Sequence, residues 1–550
     1  MLSIILVLFC LSSSAWCVEI AGVKTTESFE QSTVLDNDDN FILFWNFNDT
    51  HVTFEVHVHT KGWVGFGLSS NGNMFPADVD RHTVGHSTPV VDKSQDWHLL
   101  LAKENEFGTV LKFVRKIRTC DDSEDENIQL GTSRVIYAYG QQDPVSEDSI
   151  NYHGTSRGTK SVALLSMNAE LDQLPADSRH YDFLNKNYVV PNDTTTYWCV
   201  GYKLPQLVQH HMIKYEALVT PGNELHVHHI IVYRCEVNNP EMYHGKAGLC
   251  YGKQRPIPQC GNIIIAWAIG AEPFYFPPEV GFTVGGAEDD GSLYIMETHF
   301  DNPHRKNDML DDSGIRITIT PTLRPHEAGM LTIGHSVGPY QVIPPGLENY
   351  VTKGYCSAEC LNEGFRQNNL TEVKLIGLVQ HSHLLGESLN TRHFRNGTEI
   401  KPIMLDPYYD FNFQAIRNLP REVPLRMGDS LELDCFYNSK DRTKATFGGL
   451  SIEEEMCLSF IYYYPKMTLS NCMSQPTYDN FHVGLQDLYY AMTTADWTNK
   501  TGVDNFINKL GQSSLIQACT GEHFQEKTTP IIFQPPQNLH PYIAPPVDCS

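Results

Sequence analysis

The sequence predicts a mainly β protein that is built from antiparallel β-sandwiches. Apolar and polar residues alternate with a period of two over residues 51–59, 315–320 and 431–435, which is typical of strands that bury one face. These runs lie between clusters of Gly, Pro, Asn and Asp, as in sandwich folds. Helical spacing is confined mainly to the region after Phe481, where one or two short helices are predicted.

Composition and charge narrow the class of protein. The chain has 550 residues, of which 41% are hydrophobic and 19% are charged. That composition supports real cores and excludes a disordered or collagen-like chain. Acidic residues outnumber basic ones by 65 to 40, and the formal charge of −25 argues against nucleic acid as a partner, because phosphate binding needs a basic face. No run of about 20 apolar residues follows the N-terminal segment, so no transmembrane segment is predicted.

The N-terminus predicts secretion. An apolar run over residues 2–11 is followed by Ser12, Ser13, Ser14 and Ala15, so residues 1–17 are predicted to be a signal peptide that is cleaved after Cys17. No Lys or Arg precedes the apolar run. A retained anchor is the alternative, but about ten apolar residues are too few to span a bilayer comfortably.

Cysteines and glycosylation motifs agree with an oxidising compartment. Two of the 14 cysteines lie in the predicted signal, and the remaining 12 are an even number, which favours disulfides over thiolate metal sites. Five N-x-S/T acceptors are predicted glycosylation sites: Asn48, Asn192, Asn369, Asn396 and Asn499. The predicted location is therefore the secretory-pathway lumen or the outside of the cell.

Three groups of histidines are candidate metal ligands. His381 and His383 are two apart in an apolar strand, so they share a face and favour a metal site over a surface pair. Spacing in the second group favours His226 with His228, since the adjacent His228 and His229 can share a metal only at a bulge. His299 is alone, and a lone histidine is more often structural than a ligand.

Other groups carry weaker signals. The sequence His210-His211-Met212 looks like a copper site, but core packing explains it as well. His57 and His59 are interpreted as part of a solvated strand face. Met456 is either a core residue or a soft ligand for Cu(I), and the three glutamates at 453–455 are interpreted as a solvated edge.

Six strings in one order resemble a known family. They are Thr196-Tyr-Trp-Cys, Leu225-His-Val-His-His, Glu297-Thr-His-Phe-Asp-Asn-Pro, Gly354-Tyr-Cys-Ser-Ala-Glu-Cys, Gln380-His-Ser-His and Glu454-Glu-Met-Cys. Together they closely resemble the copper type II ascorbate-dependent monooxygenases, in the DBH-like monooxygenase branch. Upstream, Gly62-Trp-Val-Gly-Phe-Gly-Leu-Ser and Met74-Phe-Pro-Ala-Asp-Val look like a DOMON domain. Met74 is a candidate haem ligand there, although packing is the favoured alternative.

The resemblance implies a domain plan. It consists of a signal at 1–17, a DOMON β-sandwich at 28–145, a linker at 146–195, an N-terminal copper domain at 196–325, a C-terminal copper domain at 326–485 and a helical, Pro-rich tail at 486–550. The two copper domains are expected to be jelly-roll-like antiparallel sandwiches.

The resemblance also implies the site residues. An all-histidine copper site falls on His228, His229 and His299, which overrides the spacing argument for His226. A mixed site falls on His381, His383 and Met456. Tyr197 and His381 are the positions implied to be catalytic, with a packed aromatic as the alternative for Tyr197. The implied disulfides are Cys199–Cys250, Cys235–Cys260, Cys356–Cys472, Cys435–Cys457, Cys360–Cys519 and Cys120–Cys549.

The function implied by the resemblance is hydroxylation of an aliphatic C–H bond in a small, phenylethylamine-like substrate. The cofactors would be two copper ions per chain, with O₂ as the oxidant and ascorbate as the electron donor. A homodimer is a further expectation, although no sequence feature marks an interface. Two alternatives stay open: a zinc-dependent secreted hydrolase, and a non-catalytic copper-binding secreted protein.

Overall fold

The protein is described from a computed structural model. The described residues are 24–36, 39–69, 81–82, 90–91, 93–121, 125–145, 151–166, 174–205, 208–252, 255–258, 262–286, 292–482, 485–521, 523–525, 531–534 and 540–544. The predicted signal at 1–17, Met74, Cys260 and Cys549 lie outside these residues. The chain forms two compact units, of which the first takes in residues 1–128, 133–164 and 547–550 and the second takes in 129–132 and 165–546.

The first unit is a β structure with two main sheets and one further two-stranded sheet. Its strands are β1 (Gln31–Val34), β2 (Phe41–Phe47), β3 (His51–Val58), β4 (Val64–Leu68), β5 (Arg81–His82), β6 (Val90–Val91), β7 (Trp97–Glu104), β8 (Thr109–Lys116), β9 (Ser133–Tyr139) and β10 (Arg157–Val162). One sheet has the order β1-β2-β3-β8-β7 and the other has the order β10-β9-β4. Phe54 of the first sheet and Phe66 of the second have ring centroids 5.5 Å apart, so the two sheets share an aromatic core.

The polar face of β3 differs from the prediction. His59 is exposed, but Glu55 and His57 are buried, at 0% and 1% exposure. The interpretation of His57 as solvated is wrong because an upstream segment covers this face. The Thr26 backbone N–H donates to Glu55 (3.0 Å), and His57 Nε2 contacts the same carboxylate at 2.7 Å. Burial alone would raise the pKa of Glu55, but the hydrogen bonds from His57 and Thr26 hold it below its ordinary value.

The first half of the second unit contains two main sheets and one two-stranded sheet. Its strands are β11 (Arg179–Leu184), β12 (Tyr188–Val190), β13 (Thr195–Tyr202), β14 (His210–Leu218), β15 (Val227–Glu236), β16 (Ala247–Leu249), β17 (Ile263–Ala268), β18 (Phe274–Tyr275), β19 (Val280–Val284), β20 (Ser292–Asp301), β21 (Met309–Asp311), β22 (Gly314–Thr320) and β23 (His326–Glu327). A short 3-10 helix spans Pro240–Tyr243. The sheet that matters for the site has the order β16-β13-β20-β15-β17.

The second half contains two more main sheets, one two-stranded sheet and the helices. Its strands are β24 (Gly329–His335), β25 (Val342–Ile343), β26 (Tyr350–Cys356), β27 (Glu372–His381), β28 (Gly386–Arg395), β29 (Thr398–Asp406), β30 (Arg417–Arg426), β31 (Asp429–Tyr437), β32 (Thr446–Phe447), β33 (Leu458–Tyr464), β34 (Asn471–Pro476), β35 (Leu515–Thr520) and β36 (Ile531–Phe533). The helices are α1 (Ala358–Gln367), α2 (Leu485–Thr493) and α3 (Lys500–Gly511), with a 3-10 turn at Asp479–Phe481. The sheets have the orders β30-β27-β33-β24-β34-β35-β36 and β26-β31-β28-β29.

The prediction of a mainly β fold is confirmed, and so are the short helices after Phe481. Helix α1 is an element that the alternation of polar and apolar residues did not predict. Ser357 caps it by accepting a hydrogen bond from the backbone N–H of Cys360, as a serine at the N-cap does. The helix then buries Leu361 and Phe365, which are four residues apart on one face.

One hydrophobic core runs through both halves of the second unit. Phe274 of β18 stacks on Tyr462 of β33 with ring centroids 4.8 Å apart, and the Tyr462 hydroxyl donates to the carbonyl of Ile264 (3.0 Å). Both rings are fully buried, and such an aromatic pair adds about 1 kcal/mol beyond its area burial. This packing holds the histidine strands of the two halves against each other.

Candidate metal centres

Three buried histidines of the first half meet because β15 carries a bulge. Val227 pairs with Phe300 of β20, but His229 pairs with His299, so His228 is one extra residue in the ladder. Regular alternation would place consecutive side chains on opposite faces of the strand, but at a bulge they can point toward the same place. His228, His229 and His299 therefore share a site, at exposures of 2%, 8% and 0%.

Their Nδ1 atoms converge. Nδ1 of His229 lies 3.3 Å from Nδ1 of His228 and 3.3 Å from Nδ1 of His299. His228 donates its Nε2 proton to the carbonyl of Phe411 (3.0 Å), which leaves a lone pair on Nδ1. Burial lowers the pKa of His228 to about 4 and holds the pKa values of His229 and His299 well below the ordinary value. Three neutral nitrogens that face one point are the donor set of a transition metal.

His226 is used differently, so the prediction from spacing is wrong. Its Nδ1 donates to the carbonyl of Asp301 (2.9 Å), and its Nε2 accepts from the Lys306 ammonium (3.1 Å). Both ring nitrogens are thus occupied by hydrogen bonds to the chain. The bulge at His228 is the physical reason why His229 takes the position that spacing gave to His226.

A second histidine pair lies where β27 ends. His381 is the last residue of the strand and His383 follows it, with ring centroids 5.2 Å apart. His381 Nδ1 donates to Gln414 Oε1 (2.6 Å), and His383 Nδ1 donates to the Glu454 carbonyl (3.0 Å). The lone pairs are therefore on the Nε2 atoms, and Nε2 of His383 is buried with no hydrogen-bond partner in the described part of the chain. Burial lowers the pKa of His383 to about 3, so this nitrogen is free to bind a metal.

Met456 is buried beside this pair, at 8% exposure. Its backbone N–H and that of His383 both donate to Glu455 Oε2, at 3.2 and 2.8 Å. On its other side, the Met456 carbonyl accepts from the Tyr437 hydroxyl (2.7 Å), and the next residue forms the Cys435–Cys457 disulfide. The backbone that carries the thioether is thus fixed next to that of His383.

The two clusters face each other directly. The His229 and His381 ring centroids are 5.7 Å apart, with the rings nearly perpendicular. Phe411 stacks on His228 at 4.0 Å, and Gln414 donates from Nε2 to the Phe411 carbonyl (2.7 Å). Since Gln414 also accepts from His381, one short loop holds a histidine of each cluster.

Tyr197 lies against the first cluster. It pairs with His299 across β13 and β20, and the two rings stack with centroids 4.5 Å apart and planes within 6°. Its hydroxyl donates to the carbonyl of Leu450, a residue of the segment that leads to Met456. Burial raises the pKa of Tyr197, so the phenol stays protonated and joins the two halves at the site.

The two histidines of the sequence His210-His211-Met212 form hydrogen bonds with backbone groups. His210 donates from Nδ1 to the carbonyl of Val208 (2.6 Å), and His211 accepts at Nδ1 from the backbone N–H of Arg324 (3.0 Å). Met212 is fully buried in the core. These contacts fit core packing, which was one of the two interpretations of this group.

Four of the six implied disulfides are present in the described residues: Cys199–Cys250, Cys356–Cys472, Cys360–Cys519 and Cys435–Cys457. Cys120 and Cys235 are also disulfide-bonded, but the partners implied for them, Cys549 and Cys260, lie outside the described residues. All five glycosylation acceptors, at positions 48, 192, 369, 396 and 499, are exposed.

Two residues that contact the histidine pair were not predicted from the sequence. Gln414 carries no motif of its own, and its role depends on a loop fold that brings it to His381. Glu455 was interpreted as part of a solvated edge, which is wrong: Glu453 is exposed, but Glu455 is fully buried. Its position directly before Met456 was the one available signal.

Family models match three parts of the chain. Residues 181–307 match the N-terminal domain of copper type II ascorbate-dependent monooxygenase, and residues 326–483 match its C-terminal domain. Residues 37–140 match the DOMON domain.

Curated relatives extend over most of the chain. DBH-like monooxygenase protein 1 of Gallus gallus is 37% identical over 492 residues, which is 86% of this chain and 80% of the relative. The human protein of the same name is 33% identical over 565 residues, covering 95% and 91%. Dopamine beta-hydroxylase of Canis lupus familiaris is 34% identical over 459 residues, covering 80% and 72%.

Proposed function

Since the chain belongs to the copper type II ascorbate-dependent monooxygenases, in the DBH-like group with a DOMON domain, we propose that it hydroxylates an aliphatic C–H bond of a small substrate with O₂ and ascorbate. The family uses copper and ascorbate. The observation that carries the proposal is the convergence of three Nδ1 atoms directly beside a second imidazole pair. Two donor sets suit an enzyme that uses two metal ions, whereas a catalytic zinc site uses one set of three protein ligands.

The residues present fit two copper ions. His228, His229 and His299 would hold one ion through Nδ1, while His381 and His383 would hold the other through Nε2 together with Met456. Thioether sulfur favours Cu(I) over harder ions, and zinc sites rarely use it. Bound copper would supply one-electron redox steps and dioxygen activation, which side chains alone cannot provide.

The chain itself orients these ligands and buries them. Gln414 and the Glu454 carbonyl hold the Nδ1 protons of His381 and His383, so each ring offers Nε2. The Phe411 carbonyl accepts the Nε2 proton of His228, so this ring offers Nδ1. Outer partners of this kind fix the tautomer and orientation of a metal-binding ring. Tyr197 closes the site from the side of His299.

We extend the proposal to substrate class and location. A phenylethylamine-like amine is proposed from the name of the relative dopamine beta-hydroxylase, which is 34% identical. Secretion is proposed from the N-terminal apolar run, the disulfides and the exposed glycosylation acceptors. Among the described residues, no helix is long and apolar enough to cross a membrane.

Metal content and product analysis on secreted protein test the function. We expect two coppers per chain and O₂ consumption that requires both ascorbate and a phenylethylamine, with one hydroxylated product per O₂. His381→Ala should abolish consumption while secretion continues. Zinc in place of copper with an ester or amide hydrolysed would favour the hydrolase, and copper without turnover would favour a non-catalytic binding protein.

A further inference from the structure

We propose that Glu455 is a positioning residue that sets the thioether of Met456 against the imidazoles of His381 and His383. This inference rests on the proposed mixed copper site. Glu455 is fully buried, and it lies between the two chain segments that carry the three ligands. Its carboxylate accepts hydrogen bonds from backbone N–H groups and from the Ser382 hydroxyl.

Four donors converge on the Glu455 carboxylate. Oε2 accepts from the Ser382 hydroxyl (2.9 Å) and from the backbone N–H groups of His383 (2.8 Å) and Met456 (3.2 Å). Oε1 accepts from the backbone N–H of Leu385 (2.6 Å). One oxygen therefore joins the backbone of a histidine ligand to the backbone of the methionine ligand.

The segments on either side are anchored independently, and Glu455 links the two anchors. The Ser382 backbone is held by Tyr409, whose hydroxyl accepts from the Ser382 N–H (2.9 Å). The Met456 backbone is held by Tyr437 and by the disulfide at Cys457. Because the Glu455 carboxylate is hydrogen-bonded to both anchored segments, it fixes their relative position. That position sets the distance from the Met456 sulfur to the rings of His381 and His383.

A carboxylate suits this position. Four groups donate to its two oxygens, and a carboxylate accepts at both oxygens. Glutamine has the same shape but places an NH₂ group against one set of donors, so it must lose contacts on Oε1 or on Oε2. A weak thioether ligand depends on being held in place, because it adds little binding energy by itself.

The test compares Glu455→Gln with the neighbouring Glu453→Gln, which makes the same change at an exposed position. Each variant is loaded with Cu(I), and X-ray absorption measures the Cu–S scattering component. A Cu(I) competition titration measures the affinity of each site. We expect Glu455→Gln to lose the Cu–S component and to bind Cu(I) at the mixed site about 10- to 100-fold more weakly, the range typical of an outer partner of a metal ligand. The all-histidine site and Glu453→Gln should remain as in the wild type.

Controls separate this inference from the proposed site. Met456→Ala should lose Cu–S scattering; if the wild type lacks that component too, the mixed site itself is wrong. If the wild type has it and Glu455→Gln keeps it with unchanged affinity, the site stands and the role of Glu455 is refuted. Should Glu455→Gln fail to be secreted, Ser382→Ala removes one of the four donors and is expected to weaken Cu(I) binding several-fold, and an unchanged affinity there would also refute the role.

Discussion

Replacing Gln414 with alanine should disable the second histidine cluster without unfolding the protein. The change removes the acceptor of the His381 Nδ1 proton (2.6 Å) and the donor to the Phe411 carbonyl (2.7 Å). Gln414 is buried, at 3% exposure, so water cannot readily replace it. Leaving a buried donor without an acceptor costs about 1–3 kcal/mol of folding stability. Losing an outer partner of a metal ligand typically lowers metal affinity or activity by about 10- to 100-fold.

The assay is kcat/KM for ascorbate-dependent O₂ consumption, together with copper content. Asn412→Ala is the matched control because it changes an exposed amide two residues away in the same loop. Gln414→Ala should lose activity and mixed-site copper while keeping copper at His228, His229 and His299. Equal kcat/KM values for the two variants would refute the argument that Gln414 orients His381.

Three further predictions concern stability. Burial raises the pKa of Glu297 to about 7, so its folded form holds a proton that the unfolded chain releases near pH 4.5. The stability that this proton confers is present below that pH and is lost as the pH rises through 7. Relative to wild type, Glu297→Gln should therefore gain about 3 kcal/mol between pH 4 and 8 in urea unfolding of EDTA-treated protein, and parallel pH profiles would contradict this. Tyr197→Phe keeps the stack on His299 but loses the hydrogen bond to Leu450, so it should cost about 1 kcal/mol in the same assay, and a loss above about 3 kcal/mol would contradict it. Replacing Cys435 and Cys457 with serine opens a 22-residue loop, so the free energy of unfolding should fall by about 3 kcal/mol. The Cu–S scattering component should be lost as well, and unchanged scattering would show that the disulfide does not hold Met456.

The sequence predicted well what depends on local pattern. Period-two alternation identified the strands at residues 315–320 and 431–435, because each strand buries one face within a few residues of chain. The six ordered motifs pointed to the same histidines that the fold brings together. Helix α1 escaped because its apolar face, with Leu361 and Phe365, is short and follows a strand directly.

The errors share a physical cause, which is distance along the chain. His57 looked solvated because the segment at Thr26, which donates to the neighbouring Glu55, is about 30 residues away. Glu455 looked solvated because its donors lie some 70 residues upstream, at 382–385. The bulge at His228 depends on pairing with β20, so alternation within β15 could not reveal it.

The most direct test of the two proposed copper sites is anomalous diffraction at the copper edge from crystals of the copper-loaded protein. We expect two peaks per chain, one bound by Nδ1 of His228, His229 and His299 and one bound by Nε2 of His381 and His383 with the sulfur of Met456. A single peak, or a second peak away from His381 and His383, would contradict it.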